Sequence, residues 1–555
     1  MAKVRIFALG GLDEDGKNMY VIENNKDIFV IECGLRYPTA DEQLGIEMIV
    51  PDFQYLIENQ KRVKGVFVTH GHDDVMGALA QLLKQAKFPI YTAPLTAKMF
   101  DRIARREGLK DIEVHRLRRN ASFKIDKTEI RTFGTTQSIA DGYGLAIRTE
   151  DGYVVYSSEF IIDYDIKKDA FRFDLNDVTE IGRRGVLALL TESVGSTREG
   201  HSSPNHRITS QIEPIFDGAK GRIVCTAYSQ NLYRVIELIE MANKFNRKIM
   251  IYDEELRNLM ADMAELGYYR IPAGLEIAPQ NFDNNLENVV VIIGGTGSTI
   301  FRKVHKIAIR EDDLIQLRPS DTVIIASPAV PGTERNASGM EDDLYKETSH
   351  VFGIDRKRTF SMHASIEDIK MMIFLLNPQY YVPVKGEYRQ LISNANIALG
   401  MGYPANNIIV LENGQIASIE DGQLQRDMKR VPVGDVMVSG GDSLDAQGMV
   451  LKDREILSTD GAIVVGVVVN HATKEIIGGP DVQSRGVIYL KDADYIIREV
   501  GLIMENVIND AVKEKRYDNL ECRAEARDKI ARYVMKETGK RPMILPAIVE
   551  INTKD

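Results

Sequence analysis

The run Thr69-His70-Gly71-His72-Asp73-Asp74-Val75-Met76-Gly77 holds the residues of this chain best suited to chemistry. Two imidazoles two residues apart follow the apolar run Val63-Lys64-Gly65-Val66-Phe67-Val68. They leave a strand end together and can chelate one ion, and Asp74 can reach a second. The bland alternative is a pair of surface histidines in a polar turn. The strand before them and the Gly77-Ala78-Leu79 helix start after them weigh against it.

The chain has 555 residues, 44% of them hydrophobic, and a formal charge of −11. That length predicts two to four domains, and no apolar run approaches the ~20 residues of a membrane span, so no membrane partner is expected. The first apolar run, Val4 to Leu9, starts almost at Met1 and leaves no room for a secretory signal. Cys33, Cys225 and Cys522 lie far apart, which suits a reducing cytoplasm and offers no CxxC zinc knuckle. The acidic balance argues against indiscriminate polyanion binding, so any nucleic acid must enter a locally basic channel. Candidate walls are Lys98, Arg102, Arg105 and Arg106 at helical spacing, Arg116-Leu117-Arg118-Arg119, and Arg356-Lys357-Arg358, each of which taken alone reads as a solvated face.

Short β runs alternate with helical patterns throughout, which predicts an α/β architecture. Ile28–Ile31, Val66–Val68, Ile90-Tyr91, Gly144–Ile147 and Tyr153–Tyr156 read as strands of a first domain. The pattern restarts near residue 205. There Arg222–Ala227, Lys248–Ile251, Val289–Ile293 and Thr322–Ala326 interleave with helices such as 232–243, the look of a doubly wound parallel sheet inserted as its own domain. Near Thr359 the first domain resumes, with Tyr380–Val384 and Asn407–Leu411 as strands. From about residue 446 a βαβ-like module follows: Ala462–Val469, an amphipathic helix through Ile503–Ile508, and Met543–Leu545.

Further segments carry a specific resemblance. Leu9-Gly10-Gly11, Gly16-Lys17-Asn18-Met19-Tyr20, the His70 loop, Thr135-Thr136-Gln137-Ser138-Ile139, Ser158-Glu159-Phe160, Ser361-Met362-His363-Ala364 and Pro383-Val384-Lys385-Gly386-Glu387-Tyr388 stand in an order that resembles the ribonuclease J family, as does the ending Arg541-Pro542-Met543-Ile544-Leu545-Pro546. The likeness covers essentially the whole chain. It implies a metallo-β-lactamase αββα sandwich at 1–204 and 359–440, an inserted β-CASP domain at 205–358, and a small C-terminal α/β dimerisation domain at 446–555. It also implies 5′-to-3′ exonuclease and endonuclease action on RNA, in rRNA processing and mRNA decay. Two zinc or manganese ions at the domain cleft and a pocket for a terminal 5′-monophosphate come with it.

Carried over residue by residue, the metal site is depleted. The first metal of the family takes His70, His72, a histidine where this chain has Gln137, and a bridging aspartate where it has Glu159. The second takes Asp74, the bridging carboxylate, a histidine where Val75 stands, and another where Lys385 stands. A neutral amide is a poor zinc ligand. Lys385 brings a positive charge into the space of a cation, and its ammonium is expected to pair with Asp74 or Glu159 because unpaired buried carboxylates are costly. Asp74 and His363 remain as catalytic candidates, His363 where the family places a histidine that protonates a leaving group or holds the scissile phosphate. The resemblance assigns phosphate contact to Ser229 and Asn231 at a strand-to-helix turn, to Gly295, Gly297 and Ser298 in a glycine-rich loop, and to Thr359, Phe360, Ser361, Met362 and His363.

This pattern resembles the second paralogue of the family in bacteria that carry two. The leading reading is a cytoplasmic ribonuclease J-type subunit that binds RNA at 5′-monophosphorylated ends, with zinc or manganese weakly bound or absent. Its catalysis is weak or missing, and it works with an active paralogous subunit as a homodimer or heterotetramer, with an RNA degradosome or the ribosome as further partners. The alternative is a competent ribonuclease using one ion on His70, His72, Asp74 and Glu159. A small-molecule thioester or lactam hydrolase is a third reading, but it leaves the inserted domain unexplained.

Overall fold

The computed structural model describes residues 3–39, 42, 45–330, 332–355, 357–425, 429–439, 442–444, 449–487 and 494–552. The chain forms two compact units, one of Met1–Ala40 and Met48–Val436, the other of Asp41–Glu47 and Met437–Asp555.

The first unit contains two sheets packed face to face. Eight strands make one, in the order Gln423–Leu424, Ala417–Glu420, Lys3–Gly10, Met19–Asn24, Asp27–Ile31, Val63–Val68, Ile90–Thr92, Val114–Arg116. Six make the other, in the order Tyr380–Val384, Val186–Glu192, Gly152–Tyr156, Tyr143–Thr149, Thr128–Gly134, Ser122–Ile125. Side chains alternate along a strand, so Leu145 and Ile147 point to the shared core with Ile6, Ile22, Phe29, Phe67, Tyr156 and Val382. Ala146, Val155, Leu189 and Tyr381 point the other way, onto Val178 and Ile181 of the helix Leu175–Arg183 and Ile369 and Ile373 of the helix Ile366–Leu376. The latter helix begins at a reciprocal Ser365/Asp368 capping box and stops at Asn377 in the left-handed region, φ 42°. Both faces of the six-stranded sheet are thus covered, which is why its strands read as continuous apolar runs. Asn407–Leu411 is not the expected strand. Pro404 and the asparagine pair turn the chain through a 3-10 segment at Ala405–Asn407, and Ile408 makes a single bridge to Tyr381.

The inserted segment of the same unit is a five-stranded parallel sheet in the order Lys248–Ile251, Val289–Ile293, Ile223–Thr226, Thr322–Ile325, Val351–Gly353. The first of these strands, Ile223–Thr226, lies in the middle; Lys248–Ile251 takes one edge, Val289–Ile293 returns between the two, and Thr322–Ile325 and Val351–Gly353 extend the other side, so the carboxyl ends of Ile223–Thr226, Val289–Ile293 and Thr322–Ile325 border a topological switch point, where open α/β sheets bind ligands. The second unit holds a three-stranded sheet of Ile476–Arg485, Ala462–Asn470 and Met543–Ile551, the last two parallel as expected. The helices Asp494–Lys513 and Asn519–Thr538 bury Val500, Met504, Val507 and Ile530 in one core with Val465 and Val467. The glycine-bearing strand Ile476–Arg485 and the helix Asn519–Thr538 have no counterpart in the sequence reading. Among the described residues no helix is long and apolar enough to cross a membrane.

Inside the inserted sheet Arg222 and Asp321 form an ion pair with both side chains fully buried, and Arg222 also donates to Asn284 Oδ1 at 3.0 Å and to the Gln316 carbonyl at 2.6 Å. Removing one partner of a buried pair strands the other charge. Asp321→Ala should therefore lower the stability of the inserted segment by about 3–5 kcal/mol. Urea unfolding followed by hydrogen exchange across residues 220–344 measures this; a loss confined to the first unit's outer sheets contradicts it.

Candidate metal centre

The metal-type residues come from the ends of strands that converge on one edge of the two facing sheets. His70 and His72 follow Val63–Val68, Glu159 follows Gly152–Tyr156, and Lys385 follows Tyr380–Val384. The loop is pinned by the backbone: Cys33 N donates to the Val75 carbonyl at 2.7 Å, and a Cβ on Gly34 would lie 1.6 Å from the Asp74 carbonyl oxygen, so only glycine fits there. His70 is fully buried. Its Nδ1 is 2.8 Å from Thr69 Oγ1, which is 2.5 Å from Glu32 Oε1, so a second layer fixes the ring and aims Nε2 at the site. Burial pushes the His70 pKa down to about 4, which keeps the imidazole neutral, the form that binds metals. Burial likewise pushes Glu32 up to about 8 against the hydrogen bonds from Thr69.

Glu159 stands across from both rings, Oε1 at 3.3 Å from His70 Nε2 and Oε2 at 3.2 Å from His72 Nδ1. The two ring nitrogens are 3.1 Å apart. Lys385, in the left-handed region at φ 56° and almost fully buried, places Nζ 2.6 Å from Asp74 Oδ2 and in direct contact with Glu159 Oε1. The pairing expected of Lys385 is therefore made with both carboxylates at once. Burial disfavours all three charges, yet the two carboxylates hold the Lys385 pKa well above its usual value, and the ammonium holds Glu159 and Asp74 below theirs. Asn18 Nδ2 completes the shell of Asp74 at 2.9 Å.

One ion fits the donors present. His70, His72 and Glu159 offer ligand atoms within 4.8 Å of one another, a mixed imidazole and carboxylate set suited to zinc or manganese. A second ion does not fit. Lys385 Nζ lies between Asp74 and Glu159, and Val75 is a fully buried apolar side chain. Gln137 is also fully buried, with neither amide atom hydrogen-bonded, its Nε2 lying against Gly142 where a Cβ would come within 1.8 Å.

The centre opens into a cleft of about 1140 Å³ lined from the facing sheets by Asp15, Tyr37, His72, Asp74 and Glu159 and from the inserted sheet by Tyr228, Asn231, Thr296 and Gly297. Of the residues singled out for substrate contact, Asn231, Gly297, Thr359, Phe360, Ser361, Met362 and His363 line it. Three do not. Ser229 is fully buried with Oγ turned to Asp253, Gly295 packs on Ile300, and Ser298 leads into the helix Thr299–Ala308. His363 Nδ1 is 2.6 Å from Glu192 Oε2, and Glu192 is fixed in turn by the backbone N–H groups of Phe160 at 2.9 Å and Ala364 at 3.0 Å. Burial opposes the imidazolium of His363, but Glu192 and Glu159 outweigh it and raise its pKa. The sequence reading missed Glu192, although its place at the end of the strand Val186–Glu192 follows the same strand-end pattern as His70.

The candidate basic walls need correction. Lys98 and Arg102 pair with Asp262, Arg106 with Glu107, and Arg116 with Asp101, while Arg119 donates to backbone carbonyls. Lys98 and Arg102 are drawn to Asp262 of the inserted segment, while Arg102 and Arg106 line a second hollow that shares Asp73 and Gln230 with the cleft. Arg105 and Arg118 do not line it either, Lys357 does, and Arg356 lies outside the described residues.

With this geometry in hand, the chain matches the description "Metallo-beta-lactamase superfamily" at residues 12–196 and "Ribonuclease J, beta-CASP domain" at 220–344. It also matches "Zn-dependent metallo-hydrolase RNA specificity domain" at 352–406 and "Ribonuclease J C-terminal domain" at 449–551. It is 30% identical to ribonuclease J 2 of Staphylococcus epidermidis over 550 residues, covering 99% of this chain and 98% of that one, and 30% identical to the Staphylococcus saprophyticus protein of the same name over the same shares. Ribonuclease J 2 of Staphylococcus aureus is 29% identical over 99% of this chain and 98% of its own. A crystal structure of a protein of unknown function from Enterococcus faecalis shares the fold, with a TM-score of 0.53 at 14% identity, over 75% of this chain and all of that one. A strand-end histidine pair facing a β-CASP-type sheet, matched along the full length to named relatives, places the chain in the ribonuclease J family of metal-dependent ribonucleases.

Proposed function

We propose that this chain is a ribonuclease J-type subunit that binds RNA at 5′-monophosphorylated ends and holds at most one zinc or manganese ion, weakly. Its own cleavage is slow or absent, and it serves rRNA maturation and mRNA decay in the cytoplasm beside an active paralogous subunit, as a homodimer or heterotetramer, with an RNA degradosome or the ribosome as further partners. The metallo-β-lactamase part spans 1–204 and 359–440, the β-CASP part 205–358, and the dimerisation part 446–555. The observation that carries this reading is Lys385. Two-metal phosphodiester hydrolysis uses one ion to make hydroxide and the other to stabilise the leaving oxygen. Here the ammonium stands between the carboxylates that would hold the second ion. An ion bound by His70, His72 and Glu159 would supply a Lewis acid and an acidified water. Glu192 would hold the His363 ring and its proton toward the leaving oxygen. The name shared by the relatives, ribonuclease J 2, supports the second-paralogue reading. The three-donor set and the Glu192–His363 pair favour the second reading, a competent single-metal ribonuclease.

Lys385→Met leaves two carboxylates without their cation and should cost about 3–5 kcal/mol, recovered in part by manganese, while the parent's melting temperature responds little to the ion. At neutral pH the parent draws full stability from this cluster. Glu159 and Asp74 titrate lower folded than unfolded, so the contribution is lost as pH falls below the ordinary carboxylate range. A parent that melts identically to Lys385→Met at pH 7 contradicts this. Val75→His, Gln137→His and Lys385→His together should raise metal content and cleavage of 5′-monophosphorylated RNA. A triple variant no better than the parent in both favours decay elsewhere in the site.

RNA affinity should survive a chelator and fall steeply with salt, because counterion release dominates phosphate binding. Binding by fluorescence anisotropy, with and without EDTA between 50 and 200 mM salt, tests it; affinity abolished by EDTA favours the single-metal reading.

A further inference from the structure

Among the large apolar side chains that stand exposed, Tyr37 and Val330 line the cleft, and they come from opposite walls. Tyr37 is 44% exposed and lies beyond the strand Asp27–Ile31 of the facing sheets. Val330 is 36% exposed and lies beyond the strand Thr322–Ile325 of the inserted sheet. Single exposed apolar residues on a convex surface need no explanation, but a pair on the two walls of a cleft is how ligand pockets are built. The walls approach closely there. A Cβ on Gly297 would meet the Tyr37 ring at 3.7 Å, and one on Gly332 would meet the Pro38 carbonyl at 3.9 Å. Pro328, whose carbonyl accepts from the Tyr228 hydroxyl at 2.7 Å, extends the apolar lining on the side of Val330. The Tyr37 ring is fixed before anything binds. Pro38 biases the backbone of Tyr37 to the extended region, and one residue upstream Arg36 and Ile49 exchange backbone hydrogen bonds at 2.8 Å. The Tyr37 hydroxyl donates to Asp73 Oδ2 at 2.5 Å, and Gln230 Nε2 holds Asp73 Oδ1 at 2.8 Å. Asp73 stands between His72 and Asp74 in the chain, so the ring is tied to the loop that carries the metal-type residues. An aromatic ring anchored at its hydroxyl and open to a cleft is a stacking platform, and every nucleobase has a π-face to lay on it.

We propose that Tyr37 and Val330 form a nucleobase slot, in which one base of a single-stranded RNA stacks on the Tyr37 ring while Val330 and Pro328 pack on it from the other wall. This rests on the RNA-binding reading given under Proposed function and adds to it a contact with a base rather than a phosphate. The slot accepts any of the four bases, because stacking reads no hydrogen-bond pattern. It rejects a duplex, whose bases are already stacked and paired.

The test is an abasic scan: Kd values on the full chain in chelator for one single-stranded oligoribonucleotide and for versions of it with an abasic residue at each position in turn. The parent should lose about tenfold in affinity at one position, the scale of a single stacked base. Tyr37→Leu should bind the intact strand correspondingly more weakly and show no penalty at that position. Tyr37→Phe, which keeps the ring, should retain both the affinity and the penalty. Val330→Ser should shrink the penalty at the same position by a smaller factor. A flat scan in the parent, or a penalty that Tyr37→Leu leaves intact, overturns the slot, and a penalty untouched by Val330→Ser overturns its second wall. A parent that binds none of the strands overturns the RNA-binding reading itself. Thermal melting of each variant accompanies the scan. Should Tyr37→Leu fail to fold, 2-aminopurine placed at the sensitive position decides: its fluorescence should be quenched on binding to the parent and to Tyr37→Phe, and unquenched emission overturns the slot.

Discussion

A single ammonium between two carboxylates sets the character of this protein's centre. Lys385 meets Asp74 and Glu159 together, and without it two negative charges would face each other at the bottom of a cleft. A metal ion can satisfy the same two groups, but an ion exchanges with solvent and polarises water. A tethered ammonium does neither. It balances the charge of both carboxylates from within the fold. Neutral His70 contacts Glu159, and so does His72, whose pKa Glu159 raises against the effect of burial.

The surroundings remain those of a nucleic-acid enzyme. Strands of the two facing sheets end on one edge and deliver His70, Glu159, Glu192 and Lys385, while the inserted sheet presents the carboxyl ends of its central strands across the cleft. Tyr37 donates to Asp73 at 2.5 Å and Gln230 to the same carboxylate at 2.8 Å, so one acidic side chain ties the two walls together. The His363 and Ser361 segment is held by Glu192 from one side and Arg198 from the other. This scaffold of strand ends depends on burial and backbone pairing rather than on an ion.

Much of this was legible in the sequence, and the gaps have physical causes. Parallel strands covered on both faces give unbroken apolar runs, so the inserted parallel sheet stood out, while its strand order, with Val289–Ile293 returning between Lys248–Ile251 and Ile223–Thr226, did not. The His70 loop and Lys385 were legible because their types are unusual at strand ends. Ile476–Arg485 was missed since glycines and a proline, Gly478, Gly479 and Pro480, replace the apolar alternation. Glu192 was missed because a single acidic residue at a strand end, unlike the paired histidines, has no second ligand type beside it in sequence, whereas the clustered basic residues drew attention and Lys98, Arg102 and Arg116 proved to be paired with acids. Ser229 was chosen for its type and place; only the structure shows its hydroxyl turned to Asp253.

The most direct test is crystallography of the unmodified protein equilibrated with excess zinc, with anomalous data collected at the zinc edge. At most one peak is expected, bounded by His70, His72 and Glu159, with Lys385 Nζ still between Asp74 and Glu159. Two full-occupancy peaks with Lys385 swung away from both carboxylates would contradict the central claim.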